Sequence, residues 1–219
     1  MQSHLARDLE NLKREILRVG GLVESAIQKA TTALLDSRED LVEEVLRGDA
    51  EIDRVEVAIE EECLKILALH QPVASDLRFL IAVLKVNNDL ERMGDLAQNI
   101  AERARSLRSD EPLPISASLE KMVDGVQHMV RSVLNALVTS NADEARRVRQ
   151  MDDEIDRINA ANFVDIEQLM RSDASLIGRG IAVLSVSRNL ERIADQATNI
   201  AEDIIFMVDG EIHRHRLVL

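Results

Sequence analysis

The chain has 219 residues, of which 46% are hydrophobic, 31% charged and only 1% aromatic. A core this poor in aromatic residues argues against all-β folds, whose strands favour aromatic and β-branched side chains. The formal net charge is −13, and an acidic surface repels phosphate backbones and anionic lipid, so we expect no nucleic-acid partner and no direct membrane binding.

Long stretches of the first half place apolar residues every three or four positions, which is the period of a helix. We predict a first helix over residues 3–36. Ser37 and the acidic residues after it resemble a capping box, which predicts a second helix that ends near Leu69. Cys63, the only cysteine, follows the apolar spacing of that helix and is predicted to be a core residue. Pro72 suits the first turn of a third helix that reaches residue 107.

The second half begins after a proline-rich segment, residues 109–115, which predicts a linker. A fourth helix is predicted over residues 116–138. Asn141 predicts the cap of a fifth helix that ends near residue 171, and Asp173 the cap of a sixth that stops at Gly210. We predict that the tail, residues 211–219, is loosely ordered. No stretch is apolar over the ~20 residues that span a bilayer, and no signal peptide is apparent, so we expect a cytoplasmic protein.

The two halves repeat each other. Residues 90–102 read LERMGDLAQNIAE and residues 190–202 read LERIADQATNIAE, with nine of thirteen positions identical. Upstream, the segment EIDR begins at Glu51 and again at Glu154. The duplication predicts an all-α fold of two tandem three-helix bundles, the first within residues 1–108 and the second within residues 116–210.

Acidic and amide side chains follow one face of the third and sixth predicted helices, because a helix advances about 100° per residue. These rows are Glu91, Asp95, Asn99 and Glu102, and then Glu191, Asp195, Asn199 and Glu202. The second and fifth helices carry matching acidic pairs: Asp49 with Asp53, and Asp152 with Asp156.

Carboxylates four residues apart destabilise a helix unless something neutralises them, and no lysine interleaves these rows. The sequence therefore predicts a metal site in each half. Oxygen donors suit Mg²⁺, Mn²⁺, Ca²⁺ or iron, and zinc less well. Two alternatives remain open on the residues alone. One is a metal-free helical scaffold whose acidic rows are solvated, and the other is a carboxylate-metal enzyme such as a phosphatase or an oxidase.

The repeated pattern LER-x-x-D-x-x-x-NIAE, one copy near the end of each half, resembles the PhoU family of bacterial phosphate-transport accessory and regulatory proteins. The resemblance covers essentially the whole chain. It implies two three-helix bundles, a homodimer, and multinuclear iron or zinc clusters held by Glu91 and Asp95 and by Glu191 and Asp195. On the second helix, Glu56 and Glu60 continue the acidic row of Asp49 and Asp53. Their counterparts in the second half are Asn159 and Phe163, so the second site is expected to hold fewer ions or a different one.

The resemblance also implies a function. Members of this family act in the cytoplasm as negative regulators of phosphate uptake and of the phosphate-starvation response. They bridge the ATPase subunit of an ABC phosphate transporter and a membrane sensor histidine kinase, so contact with the membrane is expected only through partners. A regulator of another type of phosphate transporter remains an alternative. The sequence contains no nucleophile–base pair and no glycine-rich phosphate loop, which is consistent with a protein that is not an enzyme.

Overall fold

The computed structural model describes residues 4–107 and 116–210. The predicted linker and the predicted loosely ordered tail lie outside these ranges. Six long helices and one 3₁₀ turn make up the described chain, and the predicted all-α fold is confirmed. They are α1 (His4–Asp36), α2 (Glu39–His70), α3 (Ala74–Leu107), α4 (Ala117–Thr139), α5 (Ala142–Ser172), the 3₁₀ turn Ala174–Leu176 and α6 (Ile177–Asp209).

The helix caps of the second half agree with the sequence. The Asn141 side chain accepts hydrogen bonds from the backbone N–H groups of Asp143 and Glu144, both at 3.1 Å. Asp173 caps the 3₁₀ turn before α6 by accepting from the N–H of Ser175 at 2.9 Å. Gly210 ends α6 at a φ of 76°, a conformation that glycine adopts without strain.

Two predictions for the first half are wrong in detail. Ser37 does not cap α2, because its φ of 55° places it in the left-handed region. Arg38 takes the cap position instead, and its guanidinium binds the Asp40 carboxylate. Pro72 lies two residues before α3, whose first residue is Ala74. Gln71 and Ala74, on either side of this proline, both have positive φ values.

The helices form two layers. Within the first half α1 packs against both α2 and α3, and within the second half α4 packs against both α5 and α6. The halves join mainly through α3 and α6, with a smaller contact between α1 and α4. This pattern places α2, α3, α6 and α5 side by side, with α1 and α4 covering one side of that layer. No described helix covers the other side.

The core is aliphatic and continuous across both halves. Cys63 is fully buried in it, and burial raises the pKa of its thiol to about 12, so it is a core residue as predicted. The first helix runs through Gly20 and Gly21 without a break. A Cβ on Gly20 would lie 2.8 Å from the Leu134 side chain, so this glycine permits the close approach of α1 and α4.

The α3–α6 junction is antiparallel and contains a partly buried ion pair. Lys85 Nζ on α3 donates to Asp203 Oδ1 on α6 at 3.0 Å and lies 5.3 Å from the centre of the Phe206 ring. Asp203 is only 2% exposed.

In the described ranges, no helix combines the length and the hydropathy that crossing a bilayer requires.

Candidate metal centre

The antiparallel α2–α3 hairpin brings the two acidic rows of the first half together. Asn87 fixes the register by donating from Nδ2 to the Glu56 carbonyl at 2.9 Å. In this register, the acidic residues of α2 and those of α3 face each other across the hairpin, on the side of the layer that α1 does not cover. We call this set the first carboxylate face. It consists of Asp49, Asp53, Glu56, Glu91 and Asp95.

The members of this face repel one another. Partial burial and the negative charges of Asp53 and Asp95 raise the pKa of Asp49. Partial burial raises the pKa of Glu91, and Asp95, Glu56 and Asp53 raise it further. Partial burial and the negative charge of Asp53 raise the pKa of Asp95. Arg92 opposes the shift of Glu91 as the smallest of its five causes. Among the described residues, no lysine or arginine forms an ion pair with any of the five carboxylates.

The second half repeats the arrangement between α5 and α6. We call this set the second carboxylate face, and it consists of Asp152, Asp156, Glu191 and Asp195. Burial raises the pKa of Asp152 to about 6, and the charges of Asp195 and Asp156 add to the shift. Burial also raises the pKa values of Glu191 and Asp195, although the neighbouring Arg192 opposes both shifts.

The remaining predicted ligands lie further along the helices. Asn99 and Glu102 are exposed beyond Asp95 on α3. Their counterparts Asn199 and Glu202 are partly buried, and Glu202 forms an ion pair with Arg149 of α5 at 3.4 Å. The electrostatic coupling is therefore concentrated in the Glu-x-x-x-Asp pairs and in the acidic residues that face them.

Glu56 belongs to the first carboxylate face but was not among the ligands that we predicted. Partial burial, Glu60 and Asp53 raise the pKa of Glu56, which shows that it belongs to the same cluster. Its position three residues after Asp53, on the same face of α2, was the available signal.

The second face replaces this position with a neutral network. Asn159, the counterpart of Glu56, accepts a hydrogen bond from the Ser187 hydroxyl at 2.8 Å. Asn162 donates to the same hydroxyl at 3.2 Å and is 2% exposed. These amides and the hydroxyl satisfy one another in the core, so the second face ends one turn earlier than the first.

The donor set of each face fits a hard cation, because all the donors are carboxylate oxygens whose mutual repulsion a positive ion would relieve. The side chains are not gathered into a ready cage. Across residues 4–107 and 116–210, no three His, Cys, Asp or Glu side chains are grouped closely enough to hold a metal ion. Like charges without a counterion hold such carboxylates apart, so a cation would have to draw them inward.

Fold and faces together define a class: duplicated six-helix proteins in which each half presents a carboxylate face on the uncovered side of the layer. Comparison with known proteins then places the chain within that class. The sequence model of the PhoU domain matches residues 16–104 and 119–204, one match in each half. The chain belongs to the PhoU family.

Individual relatives cover nearly the whole chain. The PhoU homolog of Pseudomonas putida, named a phosphate-specific transport system accessory protein, is 39% identical over 95% of this chain and 82% of its own length. The crystal structure of PhoU from Pseudomonas aeruginosa superposes with a TM-score of 0.92 at 37% identity, over 95% of this chain and all of that one. The phosphate transport system regulatory protein PhoU from Streptococcus pneumoniae gives a TM-score of 0.89 at 32% identity, over 95% and 99%.

Proposed function

We propose that this protein is a cytoplasmic negative regulator of phosphate uptake and of the phosphate-starvation response. It acts as an adaptor between the ATPase subunit of an ABC phosphate transporter and a sensor histidine kinase, and it works as a homodimer. Membership in the PhoU family supports this proposal, together with relatives named as accessory or regulatory proteins of phosphate transport.

The two carboxylate faces bind metal ions, iron or zinc clusters in the first instance. The observation that carries this part is the set of carboxylates on facing helices that raise one another's pKa. In the first half, no lysine or arginine within residues 4–107 and 116–210 forms an ion pair with them. Glu91 and Asp95 would hold the ions together with Asp49, Asp53 and Glu56. Glu191 and Asp195 would act with Asp152 and Asp156. The bound ions neutralise the faces and tie neighbouring helices together.

The protein has no catalytic activity in this proposal. Its relatives are named as accessory and regulatory proteins. Its one thiol is buried, with a pKa of about 12, and is therefore a poor nucleophile.

Elemental analysis of the purified protein tests the metal sites. The test variant changes Glu91, Asp95, Glu191 and Asp195 to alanine, and the control variant changes four exposed carboxylates elsewhere: Asp36, Glu61, Glu120 and Asp124. We expect iron or zinc in the wild type and in the control, and none in the test variant. Equal metal content in the wild type and the test variant would refute the sites. Absence of metal from all three proteins after reconstitution would favour the metal-free scaffold.

A deletion strain tests the regulatory role. Without the protein, we expect phosphatase expression and phosphate uptake to stay high in phosphate-rich medium, and the wild-type gene to restore repression. Purified protein should also retain the transporter ATPase and the cytoplasmic region of the kinase in pulldowns. Normal repression in the deletion strain, or no binding to either partner at any phosphate concentration, would contradict the proposal.

A further inference from the structure

The Thr198 hydroxyl on α6 is shielded from solvent and is not hydrogen-bonded. In the part of the chain that the structure describes, its Oγ1 has no hydrogen-bond partner. A threonine in a helix commonly satisfies its hydroxyl on the carbonyl oxygen four residues earlier, as Thr31 does on Ile27 at 2.8 Å. Thr198 forms no such bond. A shielded donor without an acceptor costs stability, so the position of this hydroxyl requires a physical reason.

The packing of α5 against α6 places the Thr198 hydroxyl opposite Asp152. Arg149 of α5 pairs with Glu202 of α6 at 3.4 Å, which fixes one point of contact between the two helices. Asp152 lies three residues after Arg149, and Thr198 lies four residues before Glu202, so each is one turn further along the same side of its helix. The two helices are antiparallel, so both steps lead in the same direction. Asp152 and Thr198 therefore face each other.

The proton affinity of Asp152 is consistent with this arrangement. Burial, followed by the charges of Asp195 and Asp156, raises the pKa of Asp152, and Thr198 opposes that rise as a hydroxyl directed at the carboxylate would. Because Oγ1 of Thr198 forms no hydrogen bond of ordinary geometry, the two groups are neighbours whose bond is not completed. A rotation of either side chain would complete it.

The first carboxylate face lacks this pair of residues. The counterparts of Thr198 and Asp152 in the first half are Gln98 and Asp49. Partial burial and the charges of Asp53 and Asp95 raise the pKa of Asp49, and no described hydrogen-bond donor opposes that rise. A hydroxyl beside the acidic residue is therefore a feature of the second face.

We propose that Thr198 is a positioning residue of the second metal site. When a cation binds to the second carboxylate face, the Thr198 hydroxyl donates to one oxygen of Asp152 and leaves the other oxygen directed at the ion. A group that hydrogen-bonds a metal ligand fixes the orientation of that ligand. The inference rests on the proposed metal sites and adds to them a side chain that is not itself a ligand.

Metal titration of a protein that retains only the second face tests this role. The parent variant changes Glu91 and Asp95 to alanine, which disables the first face. Thr198→Val then removes the hydroxyl and keeps the branched shape, whereas Thr198→Ser keeps the hydroxyl. Thr32→Val, at a partly buried position on α1, is the matched control. Competition with a chelator of known affinity measures the binding of zinc and of iron(II), and urea unfolding of the metal-free proteins measures their stability.

We expect Thr198→Val to bind the ion at least about tenfold more weakly than the parent, while Thr198→Ser and the control stay within about threefold. Metal-free Thr198→Val should be at least as stable as the metal-free parent, because the hydroxyl that it loses has no acceptor there.

Unchanged affinity of Thr198→Val, or an equal loss of affinity in Thr198→Ser, would overturn the positioning role and leave the second site intact. A lower stability of metal-free Thr198→Val would show that the hydroxyl is bonded without an ion, and it would overturn the role as well. If the parent binds no ion, the proposed second site fails and this role fails with it.

Discussion

At the scale of single residues, the carboxylate faces oppose folding in the absence of a cation. The largest effect is at Asp152, whose pKa burial and neighbouring carboxylates raise from 3.8 to about 6. A raised pKa means that the folded state binds the proton more tightly than the unfolded state, so ionised Asp152 costs stability. This loss in the free energy of unfolding grows as the pH rises from about 4 and reaches its full value above about pH 6.

The variant Asp152→Asn should therefore stabilise the metal-free protein at pH 7.5 by about 1–2 kcal/mol, a value reduced for solvent screening. Below about pH 4 the gain should disappear, because Asp152 is then protonated in both states. Urea unfolding of chelator-treated protein at several pH values measures the difference. Asp124→Asn, at an exposed position on α4, should change stability little at any pH. A gain at pH 4 equal to that at pH 7.5 would contradict the electrostatic explanation.

The sequence predicted which carboxylates share a helix face, because that depends only on the 100° turn per residue. It could not predict that Arg149 pairs with Glu202, since the two residues are on different helices and their distance depends on how α5 and α6 pack. Glu56 shares a face of α2 with Asp53, so the sequence supported including it among the ligands, but the residues of α3 that lie opposite it depend on how the helices pack.

At the scale of helices, the ends were predicted well wherever a side chain caps a helix directly. Asn141 has the required side chain and binds two free N–H groups of α5. Ser37 has the right chemistry and the wrong backbone conformation, which depends on how the chain turns from α1 into α2. Helix boundaries that depend on a turn between packed helices cannot be read from local sequence alone.

Alanine substitutions of Asn141 and Ser37 test which of the two side chains caps its helix. Asn141→Ala should destabilise the protein by about 1 kcal/mol, because two N–H groups at the start of α5 lose their acceptor. Ser37→Ala should change the stability by less than half of that, because Ser37 caps nothing. Thermal and urea unfolding of both variants provide the comparison. Equal losses would show that Ser37 does stabilise the start of α2.

At the scale of the whole molecule, the internal duplication made the architecture predictable, because one three-helix pattern read twice gives two similar bundles. The way in which the bundles join was not predictable. Lys85 and Asp203 have Ser185 and Arg103 as their counterparts, so the duplication alone gives no indication that they pair. This ion pair is present on only one side of the α3–α6 junction.

Lys85→Met should destabilise the protein by about 1–3 kcal/mol, because Asp203 is almost fully buried and loses its ion pair with Lys85. Lys29→Met is the matched control. Lys29 pairs with Glu44 at 2.8 Å between two solvent-exposed side chains, and the loss there should stay below about 1 kcal/mol. Urea unfolding of both variants and of the wild type gives the two losses in the free energy of unfolding. A loss at Lys85 no larger than at Lys29 would show that the pair does not fasten the two halves together.

Anomalous X-ray diffraction from crystals grown with iron or zinc tests the metal assignment most directly. We predict anomalous peaks between α2 and α3, within coordination distance of Glu91 and Asp95, and weaker or fewer peaks beside Glu191 and Asp195. Side chains that stay apart around an empty face, with peaks only at other surface residues, would contradict the assignment.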